Sequence, residues 1–244
     1  MVSVRAVPNK ALRHIIGQKE VRMFPEDTFP PAPLALKIAF IGHATLILTY
    51  GDTVMHVDPV SEQADYSGLP KADIVLITHE HSDHLDPKAI AALRTDTTSV
   101  VVASKCAGKV PGAIVLQNGD SRAVRGIRIE AVPAYNIEHM RAPGAPFHPK
   151  GDGNGYLLTL GSRKVYIAGD TENTREMKGL RGIDIAFLPM NLPYTMTPEM
   201  VADAARAFQP KVLYPYHYGE TDTKKIEALL ASEKGIEVRI RPMK

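Results

Sequence analysis

Cysteine is almost missing from this chain. Cys106 is the only one in 244 residues, which excludes a disulfide framework and any zinc site built on cysteine thiolates. Long apolar runs are missing as well. No stretch approaches the roughly 18–20 consecutive apolar residues that span a bilayer, and the first 33 residues lack the apolar core of a signal peptide. The expectation is a soluble, cytoplasmic protein with no membrane span. Charge of one sign is also scarce, because 29 Lys+Arg against 27 Asp+Glu leaves a formal net charge of +2. No block of five like charges occurs, so no nucleic acid or anionic membrane is expected as a partner. Repeats and low-complexity segments are lacking too. What remains, 44% hydrophobic residues over 244 positions, suffices for one sizeable core.

Pro25, Pro30, Pro31 and Pro33 bunch ahead of the first periodic segment. Residues 1–35 therefore read as a surface-hugging arm, with a short helix over residues 11–16, and residues 36–244 as a single domain. Short runs rich in β-branched residues predict strands over 37–41, 44–49, 53–57 and 74–77. Asp86 as cap and Pro87 at the first helical position predict a helix running to residue 94. Strands are expected over 99–103, 113–117, 122–124 and 126–132, followed by a long loop over 133–154. Loops of that length in a compact domain often carry binding residues. The loop ends in Gly151-Asp152-Gly153-Asn154-Gly155, which is not a phosphate loop because a strand over 156–160, not a helix, follows it. The rest alternates: strand 164–168, helix 172–178, strand 184–190, a helix from Thr197-Pro198 to residue 207, strand 211–215, helix 222–231 and strand 236–240.

The chemistry concentrates in Thr78-His79-Glu80-His81-Ser82-Asp83-His84, directly after the apolar run over 74–77. A strand ending in such a cluster delivers its side chains at a sheet edge, where sites in layered α/β proteins tend to lie. His79 and His81 are two apart and point the same way on an extended backbone, while Asp83 and His84 follow at the turn. Imidazoles and carboxylates at this density suit zinc, manganese or iron. Two more strand ends carry ligand-type residues, Asp170 and His217. A two-metal site needs about seven protein ligands, and Asp170 is the natural bridge because one carboxylate can give an oxygen to each ion.

His-x-His-x-Asp-His after an apolar strand, with Gly42-His43-Ala44-Thr45 and Asp58-Pro59 upstream and Ala168-Gly169-Asp170-Thr171 and Pro215-Tyr216-His217-Tyr218 downstream, resembles the metallo-β-lactamase superfamily. The likeness covers about residues 36–241 and is nearest to metal-dependent hydrolases beside the ascorbate-phosphate lactonase and N-acyl phosphatidylethanolamine phospholipase D branches. It implies an α/β fold, a four-layer αββα sandwich with a dinuclear site along one edge. Carried over by position, His79 and His81 would bind one metal, Asp83, His84 and His217 the other, and Asp170 would bridge. Many relatives place a further histidine where this chain has Asn136. His139 and His148 both lie in the following loop, and His148 is favoured because Phe147-His148-Pro149-Lys150-Gly151 resembles a segment of relatives that also carry the Tyr135-Asn136 pair.

Asp58 is placed to accept a hydrogen bond from a ligating imidazole, and His43 to line the pocket. Arg141, Lys150, Tyr194 and Tyr218 are candidates for substrate contact. Two divalent cations, zinc before manganese or iron, would lower the pKa of a bridging water, with Asp83 orienting the hydroxide and shuttling a proton. The expected reaction is hydrolysis of a small-molecule ester, lactone or phosphodiester. His81 stands where diiron oxidoreductases of this fold resemble a glutamate, which disfavours electron transfer. The rival reading is a metal-binding sensor or scaffold without turnover.

Overall fold

Short β-branched runs broken by turns assemble into two seven-stranded sheets and a small hairpin. The computed structural model describes residues 24–244; the helix expected over 11–16 lies outside them. The first sheet follows chain order: β1 (Glu26–Phe29), β2 (Leu36–Gly42), β3 (Thr45–Tyr50), β4 (Thr53–Val57), β5 (Ile74–Ile77), β6 (Ser99–Ala103) and β7 (Ile114–Leu116), with α1 (Pro87–Leu93) between β5 and β6. The second sheet uses β8 (Ser121–Val124), β9 (Ile127–Ala134), β12 (Gly153–Leu160), β13 (Arg163–Ile167), β14 (Ile185–Pro189), β15 (Val212–Tyr216) and β16 (Glu237–Val238). Between β9 and β12 stands the hairpin of β10 (Met140–Ala142) and β11 (Ala145–Pro146). Helices α2 (Arg175–Lys178), α3 (Pro198–Phe208) and α4 (Lys224–Leu230) follow β13, β14 and β15.

Three apolar clusters define the layers. Along β2, Leu36, Ile38 and Phe40 are buried while Lys37 faces solvent, the period-two pattern of a strand with one face in a core. They belong to the cluster shared by both sheets, together with Leu46, Leu48, Tyr156, Leu158, Phe187 and Tyr214. A second cluster packs Val201, Ala205 and Phe208 of α3 and Ile226 of α4 on the outer face of the second sheet. A third packs Ala89, Ile90 and Leu93 of α1 against Val75, Ile77, Val100 and Val102 of the first. The result is the expected four-layer αββα sandwich.

Each sheet begins antiparallel and continues parallel. The pairs β4–β5–β6–β7 run parallel in the first sheet, and β13–β14–β15–β16 in the second. Parallel strands end on the same side, which collects several loops along one edge of the sandwich. The caps behave as expected: Asp86 accepts from the Lys88 amide with Pro87 at the start of α1, and Thr197 accepts from the Met200 amide at the start of α3.

Four local expectations change. The helix expected from Glu172 starts only at Arg175, capped by Thr174, because Glu172 turns inward. The loop over 133–154 is largely ordered, with β9 running to Ala134, the hairpin inside it, and β12 starting at Gly153. Gly153 and Gly155 belong to that strand, and backbones crowd there: a Cβ on Gly155 would sit 2.7 Å from the Ala168 carbonyl oxygen. Residues assigned to an arm supply β1, which pairs antiparallel with β2. The closing strand shrinks to Glu237–Val238, since Arg239 and Arg241 turn towards Asp27 on β1.

Candidate metal centre

The site is assembled from strand ends. β2 releases His43, β4 releases Asp58, β5 releases Thr78 and the turn carrying His79 to His84, β13 releases Gly169-Asp170, and β15 releases His217. The His217 amide donates to the His43 carbonyl at 3.0 Å, which ties the end of β15 in one sheet to the end of β2 in the other. His43, Asp58 and His217 have φ of 53°, 42° and 46°. That left-handed region costs a side-chain-bearing residue about 1–2 kcal/mol, and only Arg125 and Gln209 share it among described non-glycine residues. Backbone strain gathered at one spot marks a site whose geometry the surrounding fold imposes.

His79 and His81 do converge, though not by strand alternation. The strand stops at Ile77, and the His84 and Leu85 amides donate to the His81 carbonyl in a tight turn. That turn brings His79 Nε2 within 3.1 Å of His81 Nδ1. Around Asp170, the Nε2 atoms of His148, His84, His217 and His79 lie 3.3, 3.4, 3.5 and 3.8 Å from its carboxylate oxygens. Asp83 Oδ2 lies 3.5 Å from His217 Nε2, 3.7 Å from His84 Nε2 and 3.1 Å from His43 Nε2. Three sets have ligand atoms close enough to share an ion: His79, His81 and His148; His43, Asp83, His84 and His217; and His79, His84 and Asp170. Buried His84 Nε2, Asp170 Oδ1 and His217 Nε2 have no hydrogen-bond partner. Buried polar atoms left without partners are costly, and imidazole nitrogens with carboxylate oxygens form the donor set that divalent transition metals take. The residues present therefore fit a metal pair.

The outward-facing nitrogens of His84 and His148 are spoken for. Asp58, fully buried, accepts from the Thr78 amide at 2.8 Å, the Thr78 hydroxyl at 2.7 Å and His84 Nδ1 at 2.8 Å. With the proton held on Nδ1, His84 Nε2 presents a lone pair to the cluster. Asn136 does the same for His148. Its amide nitrogen donates to Glu172 Oε1 at 3.0 Å and to the Tyr194 carbonyl at 2.9 Å, so its oxygen must face His148, where it accepts from the backbone amide at 2.8 Å and from Nδ1 at 2.7 Å. Asn136 thus orients a histidine and stands behind the cluster. His139 points elsewhere, with Nδ1 2.7 Å from Glu172 Oε1.

Glu172 is the residue that sequence reasoning missed. Its fully buried carboxylate accepts from the amides of Ile137, Glu138 and His139 at 2.6–2.7 Å. It pins the start of the segment that brings His148 to the cluster. Placed between Thr171 and Asn173, it carries no pattern that separates it from an exposed helix-start glutamate; only the tertiary fold reveals the three amides.

Electrostatics follow from this packing. Burial works against a charge on Asp170, but the neighbouring imidazoles of His217, His84 and His148 outweigh it and hold the carboxyl well below its usual range. Burial likewise opposes charge on Asp83, and the neighbouring imidazoles of His217, His43 and His84 pull its pKa down. For His84 burial is overcome by Asp170 and Asp58, which raise its pKa well above the ordinary value. His79 goes the other way, lowered by burial and then by His84, and so does His81, lowered by burial and by His148. Two carboxyls held in the ionised form beside His79 and His81, whose charging burial opposes, make a centre that favours a cation.

Two cavities open onto the cluster. One, of about 290 Å³, is walled by Ala134, Ala145, Pro146, Phe147 and Pro149 beside His79, His81 and His148. The other, of about 390 Å³, is walled by Ser82, Asn191 and Tyr194 beside Asp83 and His217. Asp83 is the exposed carboxylate of the cluster, its side chain 46% accessible. Tyr194 and Arg141 line this space, whereas the other two suggested substrate contacts do not. Lys150 is bound to Glu176 and lies over the Tyr135 ring, and the Tyr218 hydroxyl donates to the Arg241 carbonyl.

A family model described as a beta-lactamase superfamily domain matches residues 37–217. Among curated relatives, a UPF0173 metal-dependent hydrolase of Pelotomaculum thermopropionicum is 27% identical over 84% of this chain and 96% of its own length. Another of that description from Thermococcus onnurineus is 30% identical over 75% of this chain and 84% of its own. Among solved structures, a protein from Parabacteroides distasonis described as a metal-dependent hydrolase superposes with a TM-score of 0.87 at 50% identity, covering 91% of this chain and all of that one.

Proposed function

The chain belongs to the metallo-β-lactamase superfamily, and on that premise we propose that this metal-dependent hydrolase uses two divalent ions to cleave an ester, lactone or phosphodiester bond of a small molecule. The observation that carries the reading is the convergence of four Nε2 atoms on the buried Asp170 carboxylate. His79, His81 and His148 would hold one ion, Asp83, His84 and His217 the other, and Asp170 both. When bound, two such cations, zinc ahead of manganese or iron, supply Lewis acidity and a water acidic enough to attack near neutral pH.

The chain's own residues do the rest. Asp83, ionised and facing the cavity, orients the attacking water, with His43 Nε2 at 3.1 Å holding that carboxylate in place. Tyr194 and Asn191 border the space into which the leaving group departs. Asp58, Thr78 and Asn136 keep the ligating faces of His84 and His148 turned inward.

A sensor or scaffold without turnover needs the ions but not an open carboxylate beside them, and the accessibility of Asp83 favours the enzyme. The test is metal analysis with Asp83→Ala and Asp170→Ala. About two ions per chain in the native protein, lost in part or whole in the variants together with hydrolysis of aryl esters, lactones or bis-aryl phosphodiesters, supports the proposal. Native protein that carries no metal after loading, or turnover indifferent to both substitutions, sinks it.

A further inference from the structure

The walls of the two cavities carry several charges, and all but one are matched. Glu80 is bound by Lys109 at 3.0 Å, Asp152 lies 3.7 Å from Lys105, and Asp83 and Asp170 sit among the histidines. Arg141 is the exception. It lines both cavities, at the divide between them, and no carboxylate among the described residues lies within ion-pair distance of it. Its guanidinium stands 5.5 Å from the centre of the Phe147 ring, and that ring packs edge-on against Tyr194 with centroids 5.1 Å apart. Stacking on an aromatic face fixes the plane of a guanidinium while leaving its N–H edge free for a ligand. The hairpin that carries Arg141 follows directly on Ile137 to His139, whose amides are pinned by Glu172, so the cation is presented from an anchored base.

We propose that Arg141 is the anchor for an anionic group of the substrate, a phosphoryl or carboxylate oxyanion next to the bond that is cleaved. An apolar substituent of the same molecule lies in the cavity walled by Ala145, Pro146 and Phe147. Planar, bidentate recognition of such oxyanions is what an unpaired arginine provides and a lysine does not. Charge selects the substrate and the apolar wall selects its shape. The inference rests on the hydrolase reading of the cluster, and it assigns that site an amphiphilic anion where the motif alone leaves any ester or lactone open.

The test is calorimetric titration of the metal-loaded full chain with phenylphosphonate, benzoate and neutral benzamide, for the native protein, Arg141→Gln and Arg141→Lys, with metal content measured on each. The expected result is that the native preference for an anion over benzamide falls about tenfold or more in Arg141→Gln at unchanged metal content, and less in Arg141→Lys. The Arg141-dependent part of that preference should also shrink as salt is raised from about 50 to about 500 mM. The phosphonate and benzoate arms separate a phosphoryl from a carboxylate substrate. Anion binding in Arg141→Gln equal to that of the native protein overturns the proposal, and so does a native protein that does not discriminate between anion and amide. Turnover of aryl esters and phosphodiesters is measured in parallel. Arg141-dependent binding without hydrolysis of any of them removes the hydrolase reading and leaves the anchor, whereas hydrolysis with Arg141-independent binding does the reverse.

Discussion

Which nitrogen of an imidazole carries the proton decides whether it can ligate, and here buried partners make that choice. Asp58→Asn isolates the effect for His84, since asparagine tolerates the φ of 42° and its oxygen can still accept from the Thr78 amide. Its NH2 then faces His84 Nδ1, which must become the acceptor, and the proton moves to Nε2 where the ion should bind. Metal affinity measured by chelator competition should fall about 10–100-fold with the fold retained; native affinity would remove Asp58 from this role. Glu172→Gln makes the parallel case for His148. A glutamine offers one oxygen and one NH2 to a pocket holding three backbone donors and the Asn136 amide, so one donor is left opposing another. The loss in metal affinity should be about tenfold or more and, of the two proposed ions, should fall on the one His148 would hold. The members of the cluster were legible in the sequence because histidines and aspartates at strand ends announce themselves by type and spacing. Glu172 was not, because its partners are backbone amides more than thirty residues away, and amides look alike in every sequence.

Elements were legible where apolar residues alternate or a cap stands before proline, as at Asp86-Pro87 and Thr197-Pro198. β1 failed that test, because Glu26-Asp27-Thr28-Phe29 holds one apolar residue and its pairing with β2 is decided by what Asp27 meets. There Arg241 donates to both carboxylate oxygens at 2.7 Å, Arg239 adds a contact at 3.2 Å, and the Tyr214 hydroxyl donates as well. The exposed hairpin of β10 and β11 was invisible for a related reason: its strands bury no face. The Asp27 network joins the edge strand of the first sheet to β15 and the chain beyond β16. Burial works against the charge on Asp27, but hydrogen bonds from Tyr214 and Arg241 outweigh it and lower its pKa. A carboxyl with a lowered folded pKa contributes stability that is complete above its unfolded value near 4 and is lost as pH falls through the lower folded value. Asp27→Asn should therefore reduce the thermal midpoint at pH 7 by roughly 3–10 °C at fixed metal content. The gap from the native protein should narrow progressively below about pH 4. A gap that stays constant into acid would mean that the carboxylate charge is not what holds β1.

At the scale of the whole molecule, the site is a seam between the sheets. His79, His81, Asp83 and His84 follow β5 in the first sheet, Asp170 and His217 follow β13 and β15 in the second, and His148 comes from the segment before β12. The sandwich could be read from the sequence because the motifs around His43, Asp58, His79 to His84, Asp170 and His217 resemble those of the metallo-β-lactamase superfamily, and that resemblance implies the fold. The distances within the cluster could not, since they depend on how two sheets that share one apolar core bring their edges into register. A cation held by residues of both sheets binds the folded state and has no equivalent site in the unfolded chain, so it stabilises the fold as the logarithm of its free concentration over its dissociation constant. At a hundredfold excess over that constant the gain is about 2.7 kcal/mol, roughly 5–10 °C for a chain of this size. Stripping metal with a chelator should lower the thermal midpoint by that much, and returning zinc or manganese should restore it in proportion to the logarithm of concentration. Asp170→Ala, which removes the buried carboxylate on which four Nε2 atoms converge, should flatten the response. The same slope in that variant as in the native protein would place the stabilising ion somewhere other than this seam.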